Sequence, residues 1–174
     1  MAKRNEGKIF EDNWKKSVPE SVFLYRPPDA AQSFDYSTKL RFSSHSPCDY
    51  IMYDGEILFC LELKTVSGKS ISFERTKNDK GIIHLYQIDS LKKFGKYKNV
   101  VSGLIIDFRK TDDTYFLNIK DWDNLINSIT KKSFNEDDLL KYTIPILIKK
   151  EKLRVNYRYN IDFFIKQVKN TLLS

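Results

Sequence analysis

Cysteine and histidine are scarce: the 174-residue chain holds two Cys and two His. Cys48 and Cys60 cannot make a disulfide framework, and with so few soft or imidazole ligands a zinc enzyme is not expected. Any metal should therefore be hard and oxygen-bound. No apolar run approaches the ~18 residues needed to span a bilayer, so no membrane association is expected. The opening Met1-Ala2-Lys3-Arg4-Asn5-Glu6 has no apolar stretch behind it, so no signal peptide is expected and a cytoplasmic setting is the expectation. What is present is charge and apolar residues in globular proportion, 30% and 41%. The length suits one domain, residues 1–174, around one core.

The net charge of +7 is unevenly spread. Residues 1–64 carry 9 Lys or Arg and 10 Asp or Glu, whereas residues 65–110 carry 10 and 4, and residues 111–174 carry 11 and 9. The excess sits in a central block with Lys69, Arg75, Lys77, Lys80, Lys92, Lys93, Lys96 and Lys98. Such a block suits a polyanion, most simply nucleic acid, or else is a lysine-rich solvated surface.

Asn5 is a candidate N-cap for a helix over 6–18 with Phe10, Trp14 and Val18 on one face. A short strand is expected over 21–25, stopped at Pro27-Pro28. Residues 29–46 are polar and aperiodic and read as a long or projecting loop. Strands 49–53 and 57–64 flank Asp54-Gly55, a two-residue hairpin signal. The second is nearly all apolar until Glu62 and Lys64, as in a strand buried on both faces. Residues 66–82 read as a loop. A helix over 84–94 follows, with Leu85, Ile88 and Leu91 inward. A buried strand over 100–108 pairs with 114–119. Short helices over 121–129 and 136–142, an apolar piece at 144–148 and a closing helix over 161–172 complete the order. The fold class expected is α/β, a mixed β-sheet core flanked by helices.

Glu62 and Lys64, at i and i+2, share one strand face. A two-residue turn pairs Tyr53 with Glu56 and Asp49 with Cys60, which puts Asp49 one diagonal step from Glu62, within reach of a shared cation. Two acids and a lysine thus converge on an apolar hairpin. A self-satisfied ion pair is the plain reading of Glu-x-Lys alone. Buried ion pairs are weak stability devices, however, and a third group lands nearby, which favours a functional reason.

Pro47-Cys48-Asp49 followed by Glu62-Leu63-Lys64 resembles the Pro-Asp…(Asp/Glu)-x-Lys nuclease superfamily, whose restriction-endonuclease-like core is the fold this implies. The stretch Asn5-Glu6-Gly7-Lys8-Ile9-Phe10-Glu11 resembles the opening helix of RecU-type Holliday junction resolvases. Thr65 and the 70–73 stretch resemble the segment after their Glu-x-Lys strand. Leu85-Tyr86-Gln87-Ile88 resembles their His-Gln-Ile helix, with Tyr86 in place of the His. Val101-Ser102-Gly103-Leu104-Ile105-Ile106 resembles the next core strand. The match covers most of residues 5–120, and Arg26-Pro27-Pro28-Asp29 looks most like phage and prophage relatives.

The resemblance implies a Mg²⁺-dependent endonuclease, with Mn²⁺ able to substitute, that cuts four-way DNA junctions in recombination and repair as a homodimer. Asp49 and Glu62 would hold the metal with the Leu63 backbone carbonyl, and Glu11 would approach it directly or through water. Lys64 would orient or polarise the attacking water and stabilise phosphate charge, and Gln87 would position the water or the lysine. The 29–46 segment would correspond to a reduced stalk. Rival readings are a nuclease of other specificity and a non-cleaving DNA-binding protein of the same fold. Arg26, Lys69, Arg75 and Lys77 are candidate DNA contacts. His45 and His84 read as surface or capping residues, and Cys60 as an inert buried thiol. Tyr86, Phe94 and Tyr97 read as core rather than base-stacking residues, and residues 149–152 as a solvated turn.

Overall fold

The computed structural model describes residues 5–28 and 46–172. The segment expected to project, 29–46, lies outside the described residues except for Ser46, as does His45. Asn5 caps α1 (Glu6–Ser17) by accepting from the Lys8 amide at 3.2 Å. Phe10 and Trp14 are buried and Val18 packs partly beside them, the face read from their spacing. Then come β1 (Phe23–Tyr25), β2 (Tyr50–Tyr53), β3 (Leu58–Val66), β4 (Ile71–Ser72), α2 (Leu85–Phe94), β5 (Val100–Phe108) and β6 (Asp113–Asn118). A 3₁₀ turn, Ile119–Asp121, leads into α3 (Trp122–Asn127). The chain closes with β7 (Ser133–Phe134), α4 (Glu136–Tyr142), β8 (Ile146–Leu147), β9 (Lys150–Lys152), β10 (Tyr157–Tyr159) and α5 (Ile161–Leu172).

The main sheet runs β1-β2-β3-β5-β6-β8, with β3 and β5 parallel and the other pairs antiparallel. This is the mixed α/β architecture expected from the sequence. A parallel pair needs a long crossover, and β4 with α2 supplies it. One sheet face packs Phe59, Leu61, Leu63 and Ile105 against α1 and α5 through Trp14, Phe164 and Val168. The other packs Leu104, Ile106 and Phe108 against α2, α3 and α4 through Ile88, Leu91, Leu125 and Leu139. Covering on both sides explains why β3 and β5 read as unbroken apolar runs.

The hairpin register differs from the expected one. Tyr53 pairs with Leu58 and Tyr50 with Leu61, leaving residues 54–57 as the turn. The Asp54 carboxylate accepts from the amides of Glu56 (3.0 Å) and Ile57 (2.7 Å), and Gly55 has φ +96°. This side-chain-closed turn competes with the two-residue one. A slip of two residues keeps every side chain on its face. Continued one step past its last pair, Tyr50 with Leu61, this register brings Asp49 opposite Glu62 rather than diagonal to it.

Residues 66–82 are not simply a loop. β4 pairs with β7, Phe73 bridges Ile83, and Ile71, Phe73 and Ile83 are fully buried. Residues 149–152 are not a solvated turn either. β9 pairs with β10, and Lys150 lies against Asp107 at 2.9 Å and Asp112 at 3.0 Å with only 8% of its side chain exposed.

Candidate active site at the end of the central hairpin

The site begins on β3. Glu62 and Lys64 point to the α2 face, where Glu62 is 3% exposed. Lys64 Nζ donates to Glu62 Oε1 at 2.8 Å. The amide nitrogen of Gln87, one turn into α2, donates to the same Oε1. Gln87 is itself oriented, since its Oε1 accepts from the His84 backbone N–H at 2.9 Å, at the helix N-cap. Asp49 Oδ2 accepts from the Leu63 N–H at 2.7 Å. The N–H and C=O of one strand residue point to the same edge, so the Leu63 carbonyl is directed toward Asp49 as well. The structure thus brings together Asp49, Glu62, Leu63, Lys64 and Gln87, five of the residues singled out from the sequence.

Electrostatics mark Glu62 as unusual. Burial pushes its carboxyl up to about 7; Lys64 opposes this, while Asp49 and Glu11 add to it. An ion pair at 2.8 Å has not offset the loss of water around this carboxylate. Groups shifted in this way cluster at functional sites. Among the described residues no set of three or more His, Cys, Asp or Glu side chains stands ready as a metal centre. Glu11 lies on α1, across the end of the sheet. Its backbone carbonyl accepts from the Tyr50 hydroxyl at 3.3 Å and its carboxylate pairs with Arg26 at 3.0 Å.

The other candidates divide. Lys69 and Lys77 are exposed and Arg26 is half-exposed, as phosphate contacts require. Arg75 is not a surface cation. Its Nη2 donates to the carbonyls of Ile126 (2.8 Å), Ile129 (2.6 Å) and Lys131 (3.2 Å), and its guanidinium lies 5.1 Å from the Phe73 ring centre. The residue fastens the end of α3 and the segment after it to the β4 region. Removing it strands several carbonyls, so Arg75→Ala should cost about 2–3 kcal/mol in urea unfolding. A loss under ~0.5 kcal/mol would return Arg75 to the surface set.

Cys48 and Cys60 are both buried. Their mutual hydrogen bond, with burial, pushes the Cys48 thiol up, while the same bond lowers Cys60. Tyr86 and Tyr97 are not core residues; they are 39% and 62% exposed. Phe94 is partly buried. Sequence reasoning left out Glu74, which accepts from His84 Nδ1 at 2.8 Å and from the Leu85 N–H at 2.9 Å. The Leu85 amide and then the imidazole hold its carboxyl below the usual range. A lone Glu in a polar stretch gives no sequence signal for this role.

No helix among the described residues is long and apolar enough to cross a membrane. Comparison with known proteins gives the following likenesses. An SPbeta prophage-derived uncharacterized protein of Bacillus subtilis (strain 168), YotM, is 31% identical over 93% of this chain and 86% of its own. A solved structure of Archaeoglobus fulgidus Hjc, described as a Holliday junction resolvase from an archaeal hyperthermophile, superposes with TM-score 0.46 and 12% identity. That superposition covers 80% of this chain and 90% of Hjc. Residues 15–163 match the family described as RecU, recombination protein U. With most of its length inside that match, the chain belongs to the RecU family.

Proposed function

We propose that this RecU-family chain is a divalent-metal-dependent DNA endonuclease that resolves four-way junctions in recombination and repair. The observation that carries the reading is the buried Glu62, set opposite Asp49 and held by Lys64 and Gln87 at the end of an otherwise apolar strand.

The donor set fits a hard cation. Two carboxylates and a backbone carbonyl offer only oxygen, and Mg²⁺ or Mn²⁺ completes such a set with water. A cation there would also favour the ionised Glu62 that burial disfavours. Asp49, Glu62 and the Leu63 carbonyl would hold it, with Glu11 reaching it through water. When bound, the metal supplies Lewis acidity and lowers the pKa of water.

The remaining roles belong to the chain. Lys64 Nζ, now on Glu62, would turn to a non-bridging phosphate oxygen and stabilise the charge that develops there. Gln87, fixed at both ends of its amide, would hold Glu62 in one orientation. Water oxygen bonds to phosphorus, the P–O3′ bond breaks and a proton passes to O3′, leaving 5′-phosphate and 3′-hydroxyl ends. Arg26, Lys69 and Lys77 would neutralise backbone phosphates. Two opposed strands must be cut, so two copies related by a two-fold axis suit the near-symmetric junction.

The test is metal dependence. Junction nicking is expected with Mg²⁺ or Mn²⁺, and binding without nicking with Ca²⁺. Nicking that persists at full rate in EDTA would contradict the reading. Affinity should also fall steeply with salt, as phosphate contacts release counterions. A flat response would leave the basic residues without this role.

A further inference from the structure

We propose that Tyr86, backed by His84, is a stacking platform for an unpaired nucleobase beside the cleaved phosphate. This rests on the nuclease reading above and names the part of the substrate that the site would grip. The two rings lie parallel, 10° apart in plane with centroids 5.4 Å apart. His84 is anchored behind by Glu74 on Nδ1, and its backbone forms the N-cap of α2. The pair is therefore ordered before any ligand arrives, which lowers the cost of binding. Tyr86 is 39% exposed, so part of the ring stays open to a ligand while it lies parallel to the imidazole.

Position supplies the ligand class. Tyr86 precedes Gln87, whose amide is bonded to Glu62, and the charges of Glu62 and Asp49 both act on the tyrosine. A phosphate held by the carboxylate site would carry its base within reach of this ring. Tyr97, more exposed, sits past the far end of α2. An aromatic face tolerates any base, because every base has a π-surface. Stacking is already interrupted where duplex arms meet, so a base there is the least costly to draw out.

The experiment uses a four-way junction with 2-aminopurine at the branch point, whose fluorescence is quenched by stacking on an aromatic ring. Binding is followed in Ca²⁺ with the Glu62→Gln protein as parent, so that no strand is cut. Adding Tyr86→Leu, which keeps bulk without a π-face, should remove the quench and weaken binding by about tenfold. Adding Tyr86→Phe or Tyr86→Trp should keep the quench. Full quenching with Tyr86→Leu, while the parent binds and the wild type cuts in Mg²⁺, overturns the platform alone. Loss of quench with Tyr86→Phe equal to that with Tyr86→Leu assigns the effect to the hydroxyl and overturns it too. Failure of the wild type to bind or cut any junction overturns the nuclease reading and the platform with it. Tyr86 is exposed, so the variants should fold, and matching circular dichroism melts verify this.

Discussion

Glu62→Gln is expected to lower junction cleavage by at least ~10³-fold while DNA affinity stays near that of the wild type. Glutamine keeps the volume and the Oε1 acceptor used by Lys64 and Gln87, so the variant should melt close to the parent. What it loses is the negative charge. Asp49→Asn should behave alike, because its Oδ2 bond to the Leu63 amide can be kept by the asparagine oxygen. Gln87→Ala should be milder, about 10–100-fold, as it holds Glu62 in place. A second readout separates metal loss from other causes. Mg²⁺ should raise the melting temperature of the wild type at pH 8, by mass action on the folded state. Glu62→Gln should abolish that rise. If either carboxylate variant cuts at the wild-type rate, or fails to fold, the charges are structural and the assignment of the site fails.

The second large effect is on stability and lies on the opposite face of the sheet. Asp107 on β5 is 6% exposed and gathers three elements. Thr114 of β6 donates to it at 2.7 Å, Lys150 of β9 at 2.9 Å and Thr65 of β3 at 3.4 Å. Removing one partner of a buried pair leaves a desolvated charge, so Asp107→Ala should cost about 3–5 kcal/mol in urea unfolding. Asp112 also contacts Lys150 at 3.0 Å but is half-exposed, so it softens the loss without cancelling it. Replacing both charges, Asp107→Ala with Lys150→Met, should recover part of the loss, since no charge is then buried alone. Additive losses in the double variant would mean that each residue acts through packing rather than through the pair.

These two networks differ in how far the sequence revealed them. Long, strongly patterned elements were legible: α1 from Phe10 and Trp14 behind the Asn5 cap, β3 and β5 from unbroken apolar runs, α5 over the range observed. Asp49, Glu62 and Lys64 were legible because residues two apart share a strand face, and that survives a register error of two. The register itself was hidden, because Asp54-Gly55 suits a two-residue turn and only the Asp54 carboxylate, capping two amides, selects the longer one. Strands β4, β7, β9 and β10 are two or three residues long, too short for alternation to show.

Charge was the least legible property. Arg75 and Lys150 looked like surface cations, yet the first fastens carbonyls at and after the end of α3 and the second is buried on Asp107. A cation's partner is set by tertiary contacts between residues tens of positions apart, and composition cannot supply that. Tyr86 failed in the opposite sense. It read as core, but its ring is 39% exposed and lies parallel to that of His84.

The most direct test of the central claim is cleavage by the wild-type protein of a four-way junction beside a linear duplex of the same sequence, both in Mg²⁺. The account predicts paired nicks in opposed strands of the junction, with 5′-phosphate ends, and an intact duplex. Equal cutting of the duplex would make this a nuclease of other specificity, and an uncut junction would contradict the account.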